Sequence, residues 1–267
     1  MINLYGKNFD GKYTMEEFLE IMKKLRAPDG CPWDKEQTHQ SIRNNFLEET
    51  YEAVDAIDRD DTDDMREELG DVLMQVVFHA IMAEEEKRFD FSDIVDEVAK
   101  KLVYRHPHVF GDVSADTSEK VLENWEKLKR TEKSQESYTD TLKSVPLAFP
   151  ALMRAQKLQK RASKAGYDFE DTDGALKKVY EESSELQNAI DCSSVDEIAE
   201  EIGDLLFSVV NVARLLRIDC EEALQRSNDK FVNRFSKAES LIIGDGKNIN
   251  ELSADELDIY WQKAKKM

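Results

Sequence analysis

Glu49 and Glu52 stand three residues apart, and so do Glu68 and Asp71. Three-residue spacing puts each pair on one face of a helix. A short connector between two such helices makes them antiparallel neighbours, so four carboxylates can converge along one seam. Like charges at this spacing cost a helix roughly 0.2–0.5 kcal/mol per pair. The mid-helix Gly70 costs about 1 kcal/mol more relative to alanine. A purely structural helix gains from neither. A metal site gains from both, because carboxylates neutralise a cation and glycine admits a close backbone. Oxygen donors alone suit Mg²⁺, with Mn²⁺ as the alternative. A di-iron bundle draws a Glu-x-x-His from each of two helices, and none occurs in the acid-bearing stretches 41–85 and 174–216, which argues against that reading. His106-Pro-His108 lacks the third nitrogen or sulfur partner that zinc requires.

The same constellation occurs twice. Phe46–Ile57 pairs with Val179–Ile190, and Glu67–Leu73 with Glu200–Leu206, both at one gapless offset of 133 positions. The second set of acids is therefore Glu182, Glu185, Glu201 and Asp204, with Gly203 matching Gly70. A polar line continues beyond the acids as Gln75 and His79 in the first copy, and as Ser208 and Asn211 in the second. Such a line on an otherwise apolar helix implies a wet or ionic seam inside a bundle. Duplication of one domain explains the pattern. The polar stretch from Ser134 to Pro150, with Pro146 and Pro150 disfavouring helix, marks the junction. The expected domains are residues 1–145 and 146–267.

The elements that must carry these residues are helices, and the fold class is all-α. Only 10 Gly and 5 Pro interrupt the 267 residues. Thr14-Met-Glu-Glu17 is a capping box ahead of Phe18, Ile21, Met22 and Leu25 at helical spacing. Further helices are expected over 41–57, 65–85, from a Ser92 cap to 104, and over 119–129. Val72–Met82 is apolar almost all round and should be the buried central helix. In the second copy the expectations are 150–164, 174–190, 195–216, 220–240 and 254–265, two of them opened by boxes at Ser194 and Ser253.

Bulk properties narrow the function. A net charge of −20 repels nucleic-acid backbones, so no nucleic-acid partner is expected. The same charge means that a polyphosphate substrate requires a divalent cation as mediator. No apolar run reaches the length of a membrane span, and Met1–Gly11 lacks the apolar core of a signal peptide. Three scattered cysteines, Cys31, Cys192 and Cys220, form no pair motif and point to a reducing, cytoplasmic compartment.

At these residues the chain resembles the MazG family of nucleoside triphosphate pyrophosphohydrolases in its two-domain form. The resemblance rests on Cys31–Thr38, Leu47–Glu52, Glu68–Asp71 and Arg105–Gly111. Further on it rests on Pro150–Lys157, Val179–Glu182, Glu201–Leu206 and Asn228–Phe235, and so spans nearly the whole chain. It implies a homodimer that completes four-helix bundles and converts a nucleoside triphosphate and water into the monophosphate and pyrophosphate. It also implies Mg²⁺ ligands at Glu182, Glu185, Glu201 and Asp204, and equally at Glu49, Glu52, Glu68 and Asp71. Implied nucleotide contacts are Lys178, Glu181, Lys230, Arg234 and Trp261, with Glu182 as the group that orients or deprotonates water. The second copy is the one the resemblance associates with catalysis. The first also holds Lys101, Arg105 and Trp125, an echo of Lys230, Arg234 and Trp261. Two other readings of the residues stay open here: a non-enzymatic acidic helical adaptor, and an alarmone hydrolase on the same site.

Overall fold

The computed structural model describes residues 11–132, 136–192 and 194–267, apart from the side chains of Glu123, Glu126 and Cys192. The opening stretch Met1–Asp10, Ser134 in the junction and the Cys192 side chain therefore lie outside the described residues. Thirteen α-helices and one 3-10 turn make up the described chain, without a strand among them. The chain divides into two compact units between Leu128 and Lys129. That division lies upstream of residue 145 because a helix forms within the junction itself, Tyr138–Lys143 (α8). Ser137 and Asp140 close a capping box at its start. Arg161 then ties α8 to α9 (Ala151–Ser163) through the carbonyl of Thr141 and, at 2.8 Å, the Ser144 hydroxyl.

In the first unit, α1 (Met15–Arg26) begins at the Thr14–Glu17 capping box that its sequence specifies. A short α2 (Pro32–Glu36) follows. The long pair α3 (Arg43–Asp58) and α4 (Thr62–Glu85) is joined by three residues. There Asp60 takes a left-handed conformation (φ 54°), and Asp61 caps α4 by accepting from the amides of Asp63 and Asp64. So tight a connector forces the two helices side by side. The apolar stretch of α4 is buried from Gln75 onward, whereas Leu69 and Leu73 are exposed, so the central helix is only half enclosed. Its inner face packs Val77, Phe78, Ile81 and Met82 against Met22 and Ile42. Each such buried side chain contributes about 1.5–3 kcal/mol. Lys23 and Arg26 on α1 pair with Glu84 and Glu85 at 2.7 Å, securing α1 along α4. The next helix, α5 (Phe91–Arg105), starts two residues earlier than expected. Asp90, rather than Ser92, is its cap, because Asp90 and Asp93 form the reciprocal box while the Ser92 hydroxyl donates to Asp90. Two further helices, α6 (Pro107–Phe110) and α7 (Ser118–Glu132), complete this part.

In the second unit, α10 (Thr172–Cys192) and α11 (Val195–Leu215) form the corresponding pair, flanked by α9. Ser194 and Glu197 close the expected box at the start of α11. Here the buried residues are small, Ala175, Ala189 and Val210 among them. Small side chains do not fill the layer between α9, α10 and α11, and a cavity remains there. The long α12 (Cys220–Gly244) and α13 (Ala254–Ala264) pack a separate core of Ala238, Ile242, Tyr260 and Ala264.

Candidate functional site

In the second unit, carboxylate oxygens of Glu182, Glu201 and Asp204 come within 4.8 Å of one another. Glu182 also belongs to a second trio with Glu181 and Glu185. Helix α10 supplies the first two acids of the motif and α11 the other two, as their spacing requires. Glu182 is 4% exposed, yet its charge is not isolated. Lys178, one turn back, places its ammonium 2.5 Å from Glu182 and 2.7 Å from Glu181. Those two hydrogen bonds raise the Lys178 pKa. Burial, and then the neighbouring Glu182 charge, push the Glu185 carboxyl above its ordinary 4.5.

The first unit brings Glu49, Glu52 and Glu68 together in the same way. Asp71 stands outside that trio but near it. Burial first, and the Asp71 charge second, raise the Glu49 carboxyl. Burial, followed by Glu52, does the same for Glu68. One oxygen of Glu68 is buried without a hydrogen-bond partner. Clustered oxygens that hold their protons too tightly, one of them unsatisfied, fit a hard divalent cation, whose charge removes the mutual repulsion.

The polar lines also persist. In the first unit Gln75 donates to Glu49 at 3.4 Å, and His79 meets His39, a residue the spacing argument does not single out, at 2.7 Å between Nδ1 atoms. In the second, Asp204, Ser208 and Asn211 run along one wall of a cavity of about 810 Å³. Lys178 and Glu182 line it as well, together with Gln159, Asp168, Phe169 and Arg214. These four fall outside the duplicated carboxylate segments. Repetition could not reveal them; only the amphipathic pattern of α9 hints at one.

Lys230 and Arg234 do not line this cavity. They share a separate basic depression of about 400 Å³ with Arg226, Lys237 and Lys265. Trp261 packs beside Phe231, ring centroids 5.3 Å apart. In the first unit Arg105 is buried with its guanidinium 5.2 Å from the Trp125 ring centroid. One expectation needs correcting. A Cβ placed at Gly70 or Gly203 meets nothing within 4 Å. Both glycines face outward, so among the described residues no other backbone approaches them.

The family model described as the MazG nucleotide pyrophosphohydrolase domain matches residues 37–110 and 171–238. The two segments enclose the two acid clusters. A nucleoside triphosphate pyrophosphohydrolase of Escherichia coli (strain K12) is 46% identical over 255 residues, covering 94% of this chain and 97% of that protein. The nucleoside triphosphate pyrophosphohydrolase/pyrophosphatase MazG of Thermotoga maritima is 47% identical over 250 residues, covering 94% and 95%. A nucleoside triphosphate pyrophosphohydrolase of Mycolicibacterium smegmatis is 42% identical over 161 residues, covering 60% and 49%.

Proposed function

The chain belongs to the MazG family of nucleotide pyrophosphohydrolases, and from that premise we propose that the Glu182, Glu185, Glu201 and Asp204 cluster hydrolyses nucleoside triphosphates with Mg²⁺. The protein is a nucleoside triphosphate pyrophosphohydrolase, an enzyme rather than an acidic adaptor. One observation carries the assignment to these residues: the trio of Glu182, Glu201 and Asp204 opens, beside Lys178, onto a cavity large enough for a nucleotide. Glu49, Glu52, Glu68 and Asp71 form the equivalent cation site of the first unit.

Bound Mg²⁺, or Mn²⁺ in its place, would offset the triphosphate charge and act as a Lewis acid toward the phosphoryl oxygens. The carboxylates, fixed on two helices, would hold the cation. Glu182 orients the attacking water and takes its proton. The water oxygen bonds to the α-phosphorus, the α–β bridging bond breaks, and its electron pair leaves with pyrophosphate. Lys178 shields Glu182 and Glu181 from the incoming phosphates. In this reading Lys230 and Arg234, four apart on one face of α12, are nucleotide contacts together with Trp261, although within one chain the two cations line a depression apart from the acids.

The active form is a homodimer. Ile57, Leu69 and Leu73 in one unit and Ile190, Ile202 and Leu206 in the other are exposed at positions related by the same 133-residue offset. Apolar faces repeated in this way on the acid-bearing helices suit helix-to-helix association with a second copy. Among the described residues no helix is long and apolar enough to cross a membrane. The reading also includes a cytoplasmic location.

The test is a panel of nucleoside triphosphates, deoxynucleoside triphosphates and alarmones with Mg²⁺, scoring pyrophosphate against phosphate. Pyrophosphate and monophosphate from the triphosphates support the reading. Turnover of alarmones alone reassigns the site, and full turnover in EDTA removes the metal.

A further inference from the structure

Glu182 belongs to two oxygen trios at once, and the two keep different company. On one side it meets Glu201 and Asp204, and among the described residues no lysine or arginine pairs with either of those acids. On the other side it meets Glu181 and Glu185. There the Lys178 ammonium stands 2.5 Å from Glu182 and 2.7 Å from Glu181. Residues 178, 181 and 182 share one face of α10, three and four positions apart, so the helix alone holds the lysine over both acids.

Oxygens close on Mg²⁺ at about 2.0–2.1 Å. The ammonium therefore takes up the space and the lone pairs that a metal ion on the same two carboxylates would need. Two cations that close together also repel each other. A side chain anchored one turn away competes as an intramolecular partner, at an effective concentration that a dilute free ion lacks.

We infer that Lys178 is the second cation of this centre, a tethered charge standing in for a second metal ion, so that the acids of the second unit take one Mg²⁺ and not two. The inference rests on the pyrophosphohydrolase reading and deepens it by setting the metal count of the proposed centre. Lys178 is in this sense a positioning residue: it neutralises one flank of Glu182 and directs the metal to the other, beside Glu201 and Asp204.

The first unit supplies the contrast. The offset of 133 that relates α3 to α10 sets Asn45 opposite Lys178, and Glu48, Glu49 and Glu52 opposite Glu181, Glu182 and Glu185. The acids are kept and the lysine is not. Among the described residues no lysine or arginine pairs with Glu48, Glu49, Glu52 or Glu68, and one oxygen of Glu68 is buried without a partner. Asparagine brings no charge, so a metal ion at this cluster has no tethered rival.

The experiment counts Mn²⁺ bound to the full chain without nucleotide, from the electron paramagnetic resonance signal of the free ion. Glu49→Gln with Glu68→Gln first removes binding at the other cluster. In that background the second unit should hold one Mn²⁺ per chain. Lys178→Asn, which copies the first unit, should raise the count to two, with the spectrum of an exchange-coupled pair. Lys178→Arg, which keeps a cation, should return it to one. Lys178→Met serves as the second neutral variant if Lys178→Asn does not fold. Two ions with Lys178 in place overturn the inference. So does a count that stays at one in the neutral variants, or one that rises equally with Lys178→Arg. Pyrophosphate release, followed in parallel, separates this failure from that of the parent reading. Counts that follow the expected pattern without any pyrophosphate release sink the hydrolase assignment and leave the tethered cation standing.

Discussion

Lys178 Nζ lies 2.5 Å from Glu182 Oε1, one helical turn away, and Glu182 is the acid common to both oxygen trios of the second unit. The lysine thus occupies one side of the acid proposed to hold the cation and orient water. Replacing it with Met removes the charge-assisted hydrogen bonds to Glu182 and Glu181. Lys178→Met should lower kcat/KM for a nucleoside triphosphate by about 10-fold or more. Mg²⁺ affinity, measured by calorimetry without nucleotide, should hold or rise. A fall in metal affinity would count against this arrangement.

The two acid clusters differ in what surrounds them, so their loss should differ in effect. Glu185→Ala and Asp204→Ala are each expected to reduce pyrophosphate release by about 100-fold or more, equivalent to about 2.7 kcal/mol of transition-state stabilisation. Circular dichroism and light scattering should show both variants folded and dimeric. Glu52→Ala and Asp71→Ala should retain most of the activity. The reverse pattern would move the catalytic centre to the first unit.

Gly203 interrupts α11 with nothing beside it in the chain. Gly203→Ala should stabilise an isolated chain by about 1 kcal/mol, through helix propensity alone. Thermal melts at decreasing protein concentration measure this. A lower melting temperature that appears only at concentrations where the dimer forms would show that a second copy packs its backbone against Gly203.

His79 carries a pH signature. Burial, and then the neighbouring His39, lower its pKa from the ordinary 6.5. A depressed histidine contributes stability that is present above pH 6.5 and is lost as pH falls through the lower folded value. Stability of the wild type should therefore decline below pH 6.5 more steeply than that of His79→Asn, read as denaturation midpoints across pH 5–8. Parallel profiles would show that the histidine pair is not what senses the pH.

Much of the acid architecture was legible in the sequence, because its signals are local. Three-residue spacing placed Glu182 with Glu185 and Glu201 with Asp204, and the 133-residue repeat excluded coincidence. The capping boxes at Thr14, Ser194 and Ser253 fixed three helix starts, since each is complete within four residues. Ser92 misled because Asp90, two residues earlier, competes for the same amides and has its own reciprocal partner in Asp93. The cavity was not legible. Gln159, Asp168 and Arg214 converge from two helices and a loop, and no spacing rule links such positions. The environment of Gly203 was hidden for a related reason: sequence spacing says nothing of which outward faces remain uncovered.

Arg26 shows what a single guanidinium can do for local order. It bonds Glu85 at the end of α4 and the carbonyls of Asp34 and Gln37 on either side of the α2 terminus. The Cys31–Thr38 segment, conspicuous in the sequence, is thereby tied to α1 and to the end of α4. With this guanidinium in place, α1, the α2 turn and the last turn of α4 are tied into one opening event, and removing it would uncouple them. In native-state hydrogen exchange the α2 turn would then lose protection first and independently of α1 and α4.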